Sequence, residues 1–147
     1  MTLDKDTSAG YLINHLARLF AQALGERINP LGLSPGQFPI LLELWREEGL
    51  TQRDLVELLD VEQATIANTL ARMERDGLIV RRPHPEDGRA QSIRLTAKAR
   101  ALEGPATAAA NEVNRRSLAG LSKNEREAFL ASMRTVVETI RGKNERG

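Results

Sequence analysis

The sequence predicts a mainly α-helical protein that carries one small β-hairpin, and three observations support this fold class. Residues 51–76 contain two short amphipathic helix patterns separated by a tight turn. Residues 78–95 change to a strand-like pattern interrupted by turn residues. Long helical patterns with wide apolar stripes flank this region at residues 8–29 and 96–141. A helix-turn-helix followed by a hairpin is a winged helix.

The central pair of helices has clear start and stop signals. Thr51 can cap the first helix, and Asp54 lies three residues later, near the positive end of the helix dipole. The second helix is predicted at about residues 62–76, and Gly77 supplies the left-handed residue that ends it. The apolar positions predicted to face the core are Leu55, Leu58 and Leu59 in the first helix and Val61, Ile66, Leu70 and Met73 in the second.

The exposed front of the second helix is small and polar. Asn, Gln and Arg side chains on such a helix can make bidentate hydrogen bonds to base edges in the DNA major groove. The candidate contacts on this helix are Gln63, Thr65, Asn68, Thr69 and Arg72.

The hairpin is predicted from strands 78–82 and 91–95 and an eight-residue loop, 83–90, that carries Asp87 and Arg89. An arginine at a hairpin tip can reach an adjacent minor groove, whose negative potential attracts it. An exposed pair of this kind is also compatible with a solvated turn. On the strands, Arg81, Arg82 and Arg94 either bind phosphate or only solvate the hairpin, and the sequence leaves both interpretations open.

The flanking helices are predicted from capping signals and apolar stripes. The stripe of the first helix, residues 8–29, is wide enough to suggest burial on two sides, one of them against a second subunit. A second helix is predicted to start at Ser34 as cap, with Pro35 at its first position and Gln37 completing a capping box. Trp45 in this helix is assigned to the core.

Two further helices are predicted after the hairpin. Thr96 can cap a helix that runs to about Leu118 and that Pro105 should bend. Ser122 and Glu125 form a capping box for a final helix that ends at about Arg141. The apolar positions of this last helix are Phe129, Leu130, Met133, Val136, Val137 and Ile140.

Charge and composition restrict the class of protein. The net charge is only +1, but residues 41–62 carry seven acids and two bases, whereas residues 63–100 carry eight bases and four acids. A local basic segment in a balanced protein fits binding of DNA on one face. The absence of cysteine excludes disulfides and thiol switches. No apolar run approaches the ~18 residues of a membrane span and no signal peptide is evident, so a cytoplasmic protein is expected.

Four segments carry a resemblance to a known family. They are TQRDL at 51–55, ATIAN at 64–68, LARMERDGL at 70–78, and RRPHPEDGRA at 81–90, which runs into Leu95 and Thr96. On these residues the chain resembles the multiple antibiotic resistance regulator (MarR) family of bacterial transcription factors. The family's signature in the hairpin loop is Asp-x-Arg, and Asp87 and Arg89 match it, while Gly88 stands where a charged residue is common.

The resemblance implies roles and an organisation. It implies that Arg89 enters the minor groove and that Asp87 helps to place it. It implies a single MarR-type domain over residues 1–147, with a DNA-binding lobe at about 34–95 and dimerisation helices at about 8–29 and 96–141.

The resemblance also implies a pocket between the dimerisation layer and the DNA-binding lobe, where family members bind small aromatic acids and related anions. His15 lies on the same stripe as Leu12 and Leu19, and Trp45 is a candidate second wall. A satisfied or interfacial histidine and a core tryptophan are the alternatives. The two histidines, His15 and His84, are far apart in the sequence, so no metal site and no cofactor are expected.

Three functional hypotheses follow. The first is a homodimeric regulator, a repressor released by a small ligand, that binds double-stranded DNA at a pseudo-palindromic operator. Its variant uses no small-molecule ligand. The second is a winged-helix interaction module whose acidic 41–62 segment docks a protein partner. The third, an enzyme, ranks last because no nucleophile elbow, phosphate loop or His-carboxylate pairing is readable.

Overall fold

The computed structural model describes the backbone of residues 1–146 and the side chains of residues 1–142. Its fold is mainly helical with one two-stranded antiparallel hairpin, which confirms the predicted fold class. In chain order the elements are α1 (Ala9–Ile28), a 3-10 turn (Asn29–Leu31), α2 (Phe38–Arg46), α3 (Gln52–Leu59), α4 (Gln63–Arg75), β1 (Ile79–Pro83), β2 (Gln91–Leu95), α5 (Ala97–Ala101), α6 (Glu103–Ser117) and α7 (Lys123–Arg146).

Two compact units are present, Met1–Ala110 and Asn111–Gly147. The first contains the helix-turn-helix, the hairpin and α1, and the second contains α7. This division differs from the predicted lobes, because α1 falls in the same unit as α4. The single-domain organisation stays a prediction. No helix within residues 1–146 combines the length and the apolar character that crossing a bilayer requires.

Helix α1 begins where its cap predicts. The Tyr11 N–H donates to Ser8 Oγ at 3.2 Å, and Ile28 at the far end is fully buried. The front of the helix is different, because its apolar stripe faces solvent in the single chain. The exposed members are Leu12 (40%), Ile13 (50%), Leu16 (40%) and Leu19 (48%).

Helix α2 starts three residues later than predicted, with Gln37 rather than Ser34 in the cap position. Ser34 does not begin a helix, because residues 35–37 form a turn in which the Gln37 N–H donates to the Ser34 carbonyl at 3.0 Å. The buried Gln37 side chain then accepts from the Ser34 N–H at 3.1 Å and donates to Asp76 Oδ2 at 3.3 Å. This bond to the end of α4 is a tertiary contact that the local pattern could not indicate. The helix itself starts at Phe38.

Helices α3 and α4 follow their predicted signals closely. Thr51 and Asp54 form a reciprocal capping box at 3.1 and 2.9 Å, which satisfies two backbone donors at the start of α3. Gly77 has φ +75°, as expected of the residue that ends α4. One position was misassigned: Leu58 is 46% exposed, because it lies about 60° around the helix from Leu55, on the side away from Val56 and Leu59, which pack against the core.

One core connects these helices with the hairpin. Burying a Leu, Ile or Met side chain contributes roughly 1.5–3 kcal/mol, so this cluster dominates the stability of the first unit. Its fully or nearly fully buried members include Leu41, Leu44, Leu55, Ile66, Leu70, Met73, Leu78, Ile79 and Ile93.

The hairpin, which we call the wing, pairs Ile79 with Leu95 and Pro83 with Gln91. Its loop, residues 84–90, is therefore one residue shorter than predicted, because Pro83 belongs to β1. A third segment joins the wing near its base. The Gly49 N–H donates to the Ile93 carbonyl at 2.8 Å, and the Ile93 N–H donates to the Leu50 carbonyl at 2.9 Å.

The helix after the wing is divided into α5 and α6 at Leu102. Pro105 explains the break, because it has no N–H to donate to the carbonyl four residues earlier and its ring crowds that carbonyl. Thr96 caps α5 as predicted, with the Ala99 N–H donating to its hydroxyl at 3.2 Å. In the second unit, Ser122 and Glu125 form the predicted capping box, and α7 extends beyond the predicted end at Arg141.

Glu48 links three elements at the base of the wing. Its Oε1 accepts from the Leu95 N–H at 2.9 Å and from Arg100 Nη2 at 2.9 Å, and its Oε2 accepts from Arg100 Nε at 3.3 Å. The Arg100 guanidinium lowers the pKa of Glu48 below its ordinary value, and the Leu95 N–H acts in the same direction. The side chain is 29% exposed, so water screens the pair only in part.

Replacing Glu48 by Gln should lower the stability of the protein by about 1 kcal/mol, because the neutral amide loses the charge-assisted bonds to Arg100. For a chain of this size, that corresponds to a decrease in Tm of roughly 2–4 °C. The pKa of Glu48 is lowered in the folded state, so its contribution is present above the ordinary value of 4.5 and is lost as pH falls through the lowered value.

Thermal unfolding followed by circular dichroism from pH 7 down to pH values below about 4 tests this linkage. The matched control is Glu47→Gln, since Glu47 is the exposed neighbour. A difference between Glu48→Gln and wild type that stayed constant over this range would contradict the assignment of charge as its cause.

Candidate nucleic-acid interface

Helix α4 presents a polar face to solvent. Thr65, Asn68 and Arg72 are exposed at positions i, i+3 and i+7, which places them on one side of the helix. Gln63 is exposed in the first turn. Side chains of these types, on a helix that can enter a major groove, can form direct hydrogen bonds to bases.

The structure separates Thr69 from this set. Thr69 is only 9% exposed, and its hydroxyl donates to the Thr65 carbonyl at 2.8 Å. Its hydroxyl proton is therefore used within the helix, and its predicted role as a DNA contact has no support from the geometry.

The C-terminal end of α4 is held by polar contacts from distant residues. Gln37 donates to the Asp76 carboxylate at 3.3 Å, and Lys98 Nζ donates to the Asp76 carbonyl at 3.0 Å. The Arg75 guanidinium beside Asp76, with help from Gln37, holds the pKa of that carboxyl below its usual value. The Thr96 hydroxyl donates to the Gly77 carbonyl at 2.6 Å. These contacts fix the end of α4 relative to α2 and α5.

The wing loop places Arg89 through Asp87. The Arg89 N–H donates to Asp87 Oδ1 at 3.0 Å, and Arg89 Nε lies 3.6 Å from the same oxygen. The Arg89 side chain is 95% exposed, so its guanidinium remains available to a partner. The geometry is that of an Asx turn in which the carboxylate orients the arginine backbone.

His84 also contributes to this loop, a role that sequence reasoning missed because it considered the residue only as a metal ligand. Its Nδ1 accepts from the Glu86 N–H at 3.1 Å and from the Asp87 N–H at 3.2 Å. The available signal was an acceptor side chain immediately before Pro85, which is the arrangement of a capping residue followed by proline.

The three strand arginines have different surroundings. Arg81 is 22% exposed, and its Nε lies 3.7 Å from Glu74 Oε2, which ties β1 to α4. Arg82 is exposed, and Arg94 is exposed with its guanidinium beside Gly49 at the base of the wing. Arg81 has a carboxylate partner in Glu74, the charge of Arg94 acts on Glu48, and Arg82 donates to the Arg81 carbonyl at 3.4 Å. The exposed guanidinium groups of Arg82 and Arg94 can still reach phosphate.

An open groove of about 720 Å³ lies between the start of α3 and the wing. Most of its charged side chains are basic, which makes it suitable for the sugar-phosphate backbone of DNA. The charged residues that line it are Arg53, Asp54, Arg81, Arg82, Asp87 and Arg89.

The two candidate ligand residues lie on separate helices. His15 is exposed on α1, with its ring edge-on to Tyr11 at 6.3 Å between centroids. Trp45 is half-buried in α2, and its Nε1–H donates to the Ala99 carbonyl at 3.0 Å. The indole donor is thus used within the fold, and a ligand role for either residue stays a prediction. The described residues contain no cluster of three or more His, Asp or Glu that could hold a metal ion.

A family model described as MarR family matches residues 31–90, which run from the 3-10 turn to the end of the wing loop. The HTH-type transcriptional regulator TtmR of Methylorubrum extorquens (strain PA1) is 30% identical over 143 residues, covering 95% of this chain and 72% of TtmR. The chain belongs to the MarR family. It is a MarR-type transcriptional regulator, a DNA-binding protein with a winged helix-turn-helix.

Solved structures agree with this assignment. The PcaV regulator from Streptomyces coelicolor, solved in complex with its natural ligand, has a TM-score of 0.83 and 28% identity and covers 94% of this chain and 97% of its own. The repressor CouR, solved bound to a 23-mer DNA duplex, has a TM-score of 0.81 and 26% identity and covers 93% of this chain and 99% of its own.

The different settings of Asn68 and Thr69 lead to a prediction. Asn68→Ala should weaken DNA binding by about 1–3 kcal/mol, because it removes an exposed side chain that can pair with a base. Thr69→Val should leave the affinity within about twofold, because it keeps the shape of a side chain whose donor serves only the helix.

Fluorescence anisotropy with duplexes recovered from genomic fragments by the wild-type protein measures both variants. Unchanged affinity of Asn68→Ala would show that Asn68 does not read a base, and a loss for Thr69→Val as large as that for Asn68→Ala would contradict the internal role of the Thr69 hydroxyl.

Proposed function

We propose that this MarR regulator is a homodimer that represses transcription from a pseudo-palindromic operator and is released by a small aromatic or anionic ligand. The observation that carries the proposal is the pairing of two exposed features in one unit. These are the polar face of α4, formed by Thr65, Asn68 and Arg72, and the wing arginine Arg89. One suits a major groove and the other suits the adjacent minor groove.

The homodimer is supported by the spacing of major grooves on DNA and by the exposed apolar side chains of α1. Two helices related by a two-fold axis and separated by about 34–36 Å read successive major grooves of one duplex face. Four large aliphatic side chains on α1 are exposed in the single chain, and burial against a second copy would remove them from water. Such a regulator acts where the chromosome lies, which we propose to be the cytoplasm.

Repression and ligand release are supported by the named relatives rather than by the geometry of this chain. CouR carries the name of a transcriptional repressor, and PcaV was solved with its natural ligand. A ligand can release DNA only if it binds one dimer geometry more tightly than the other. We propose that it favours a spacing of the two α4 helices that does not match the DNA grooves.

A second candidate, a winged-helix module that docks a protein partner, rests on the acidic segment 41–62. Selection from random DNA separates the two, because a regulator enriches a palindromic sequence and an interaction module enriches none. Sequencing the DNA that this protein recovers from its own genome then identifies the target, and the position of the operator gives the sign of regulation.

Arg89→Ala should weaken operator binding by about ten- to a hundredfold and reduce the slope of log K against log salt by about one, because one minor-groove charge is lost. The dimer should persist in sedimentation, since the wing tip lies outside α1. Arg46→Ala is the matched control, because it removes an exposed charge at the end of α2. Unchanged affinity of the Arg89 variant would exclude the wing as a DNA contact.

Leu16→Glu should convert the dimer into monomer at micromolar concentration and reduce operator affinity, because it places a charge in the apolar stripe of α1. Leu58→Glu is the control, since Leu58 is similarly exposed but lies on α3. Analytical ultracentrifugation measures both variants. A Leu16→Glu protein that remained dimeric would rule out this stripe as the interface.

A further inference from the structure

His84 is the first residue after β1, and it closes the wing loop with its side chain. Its Nδ1 lies 3.1 Å from the Glu86 nitrogen and 3.2 Å from the Asp87 nitrogen. Both partners are backbone N–H donors, so this ring nitrogen must be the acceptor and must carry no proton. These two hydrogen bonds can form only in the tautomer that carries its proton on Nε2.

The local sequence explains why a histidine can do this. Pro85 has no N–H, so the first backbone donors available after His84 are those of Glu86 and Asp87. The spacing is that of a helix N-cap, with an acceptor side chain, a proline and then two donors. No helix follows here, and the chain turns back toward β2 instead.

A continuous set of short contacts leads from His84 to Arg89. His84 fixes the backbone at Asp87, and Asp87 Oδ1 accepts from the Arg89 N–H at 3.0 Å. The loop is closed by the Ala90 N–H, which donates to the Asp87 carbonyl at 3.0 Å, and by the His84 N–H, which donates to the Ala90 carbonyl at 3.0 Å. Ordering each loop residue costs roughly 1–2 kcal/mol, so these bonds decide whether the tip has one conformation.

We propose that neutral His84 is a positioning residue for Arg89 and that protonation of its imidazole releases the wing tip from DNA. The proposal rests on the proposed function, in which Arg89 contacts the minor groove. A proton on Nδ1 would turn the acceptor into a donor that faces two other donors, and both bonds to the turn would be lost.

The charges around His84 make the sign of the pH effect informative. A protonated imidazole among several arginines adds positive charge, and a residue that only contacted phosphate would therefore bind DNA more tightly in acid. A positioning residue gives the opposite result, because acid disorders the turn that presents Arg89. Glu86 lies in the same loop, and the charged groups that line the groove with His84 are Arg53 and Asp54 of α3 and Arg81, Arg82, Asp87 and Arg89 of the wing.

The test uses the full-length protein and the duplex that it recovers from genomic DNA. His84→Ala should weaken binding at pH 8 by about five- to thirtyfold, the loss expected of a missing cap. His84→Asn should bind within about threefold of wild type, because its Oδ1 can accept the same two N–H groups and does not titrate. As pH is lowered, wild type should lose affinity for DNA in step with protonation of His84, which the NMR signal of its Cε1–H reports. The affinity of His84→Asn should not change over the same pH range.

A double-mutant cycle shows whether His84 acts through Arg89. The variant His84→Ala/Arg89→Ala should bind no more weakly than Arg89→Ala alone. Additive losses, a His84→Ala protein that binds like wild type, or tighter binding of wild type in acid would each overturn the positioning role. If Arg89→Ala itself left binding unchanged, the wing contact of the proposed function would fail as well.

A readout without DNA separates the two failures. Amide hydrogen exchange at Glu86 and Asp87 in the free protein should be faster in His84→Ala and close to wild type in His84→Asn. Slow amide exchange at Glu86 and Asp87 in His84→Ala would show that the loop is ordered without the imidazole, and this conclusion would not depend on the DNA-binding measurements. If exchange is faster in His84→Ala as predicted but Arg89→Ala binds DNA like wild type, then His84 orders the loop and the proposed contact of Arg89 with DNA is wrong.

Discussion

The burial of Ile66, Leu70 and Met73 in the core is the constraint on which the DNA-facing parts of this molecule depend. These residues hold one face of α4 against α3 and the wing, so the opposite face is presented at a fixed angle. The wing shares that core through Ile79 and Ile93, which are each 1% exposed. Base recognition requires hydrogen-bond donors and acceptors to be held in accurate positions relative to the DNA. A core shared by α4 and the wing holds them there before DNA binds, so little conformational entropy is lost on binding. The tip of the wing is the exception, since side-chain hydrogen bonds rather than apolar burial hold it.

Polar contacts at the joints of the fold complete what the core begins. Gln37 reaches Asp76, and Glu48 reaches Leu95 and Arg100, so each spans elements that are distant in sequence. A lowered carboxyl pKa has a different meaning in Glu112 of the second unit. Its pKa of about 2 arises from Arg115 and Arg116 on the same helix, and both arginines lie within one turn of it. That network stiffens one helix locally, whereas the contacts of Glu48 determine how the wing meets its support.

The accuracy of sequence reasoning followed the range of the interaction. Thr51, Gly77 and Thr96 were identified because caps and left-handed residues act within a few positions of themselves. The start of α2 was placed three residues early, although Gln37 accepts from the Ser34 N–H as its capping pattern predicts. Residues 35–37 form a turn there, and the other end of the Gln37 side chain bonds to Asp76, 39 positions away. The same limit applies to the candidate DNA-binding residues of α4. Local polarity identified the exposed residues of α4, but it could not show that Thr69 is buried.

The charges of this protein are unevenly distributed, although their sum is small. With a net charge of +1, the whole molecule gains little from a general pull toward phosphate. Residues 41–62 and 63–100 nevertheless have net charges of −5 and +4, so a nearby duplex repels one segment and attracts the other. The positive charge is therefore concentrated in the segment that holds α4 and the wing. Any preference for one DNA sequence must then come from how firmly the side chains that meet the bases are held.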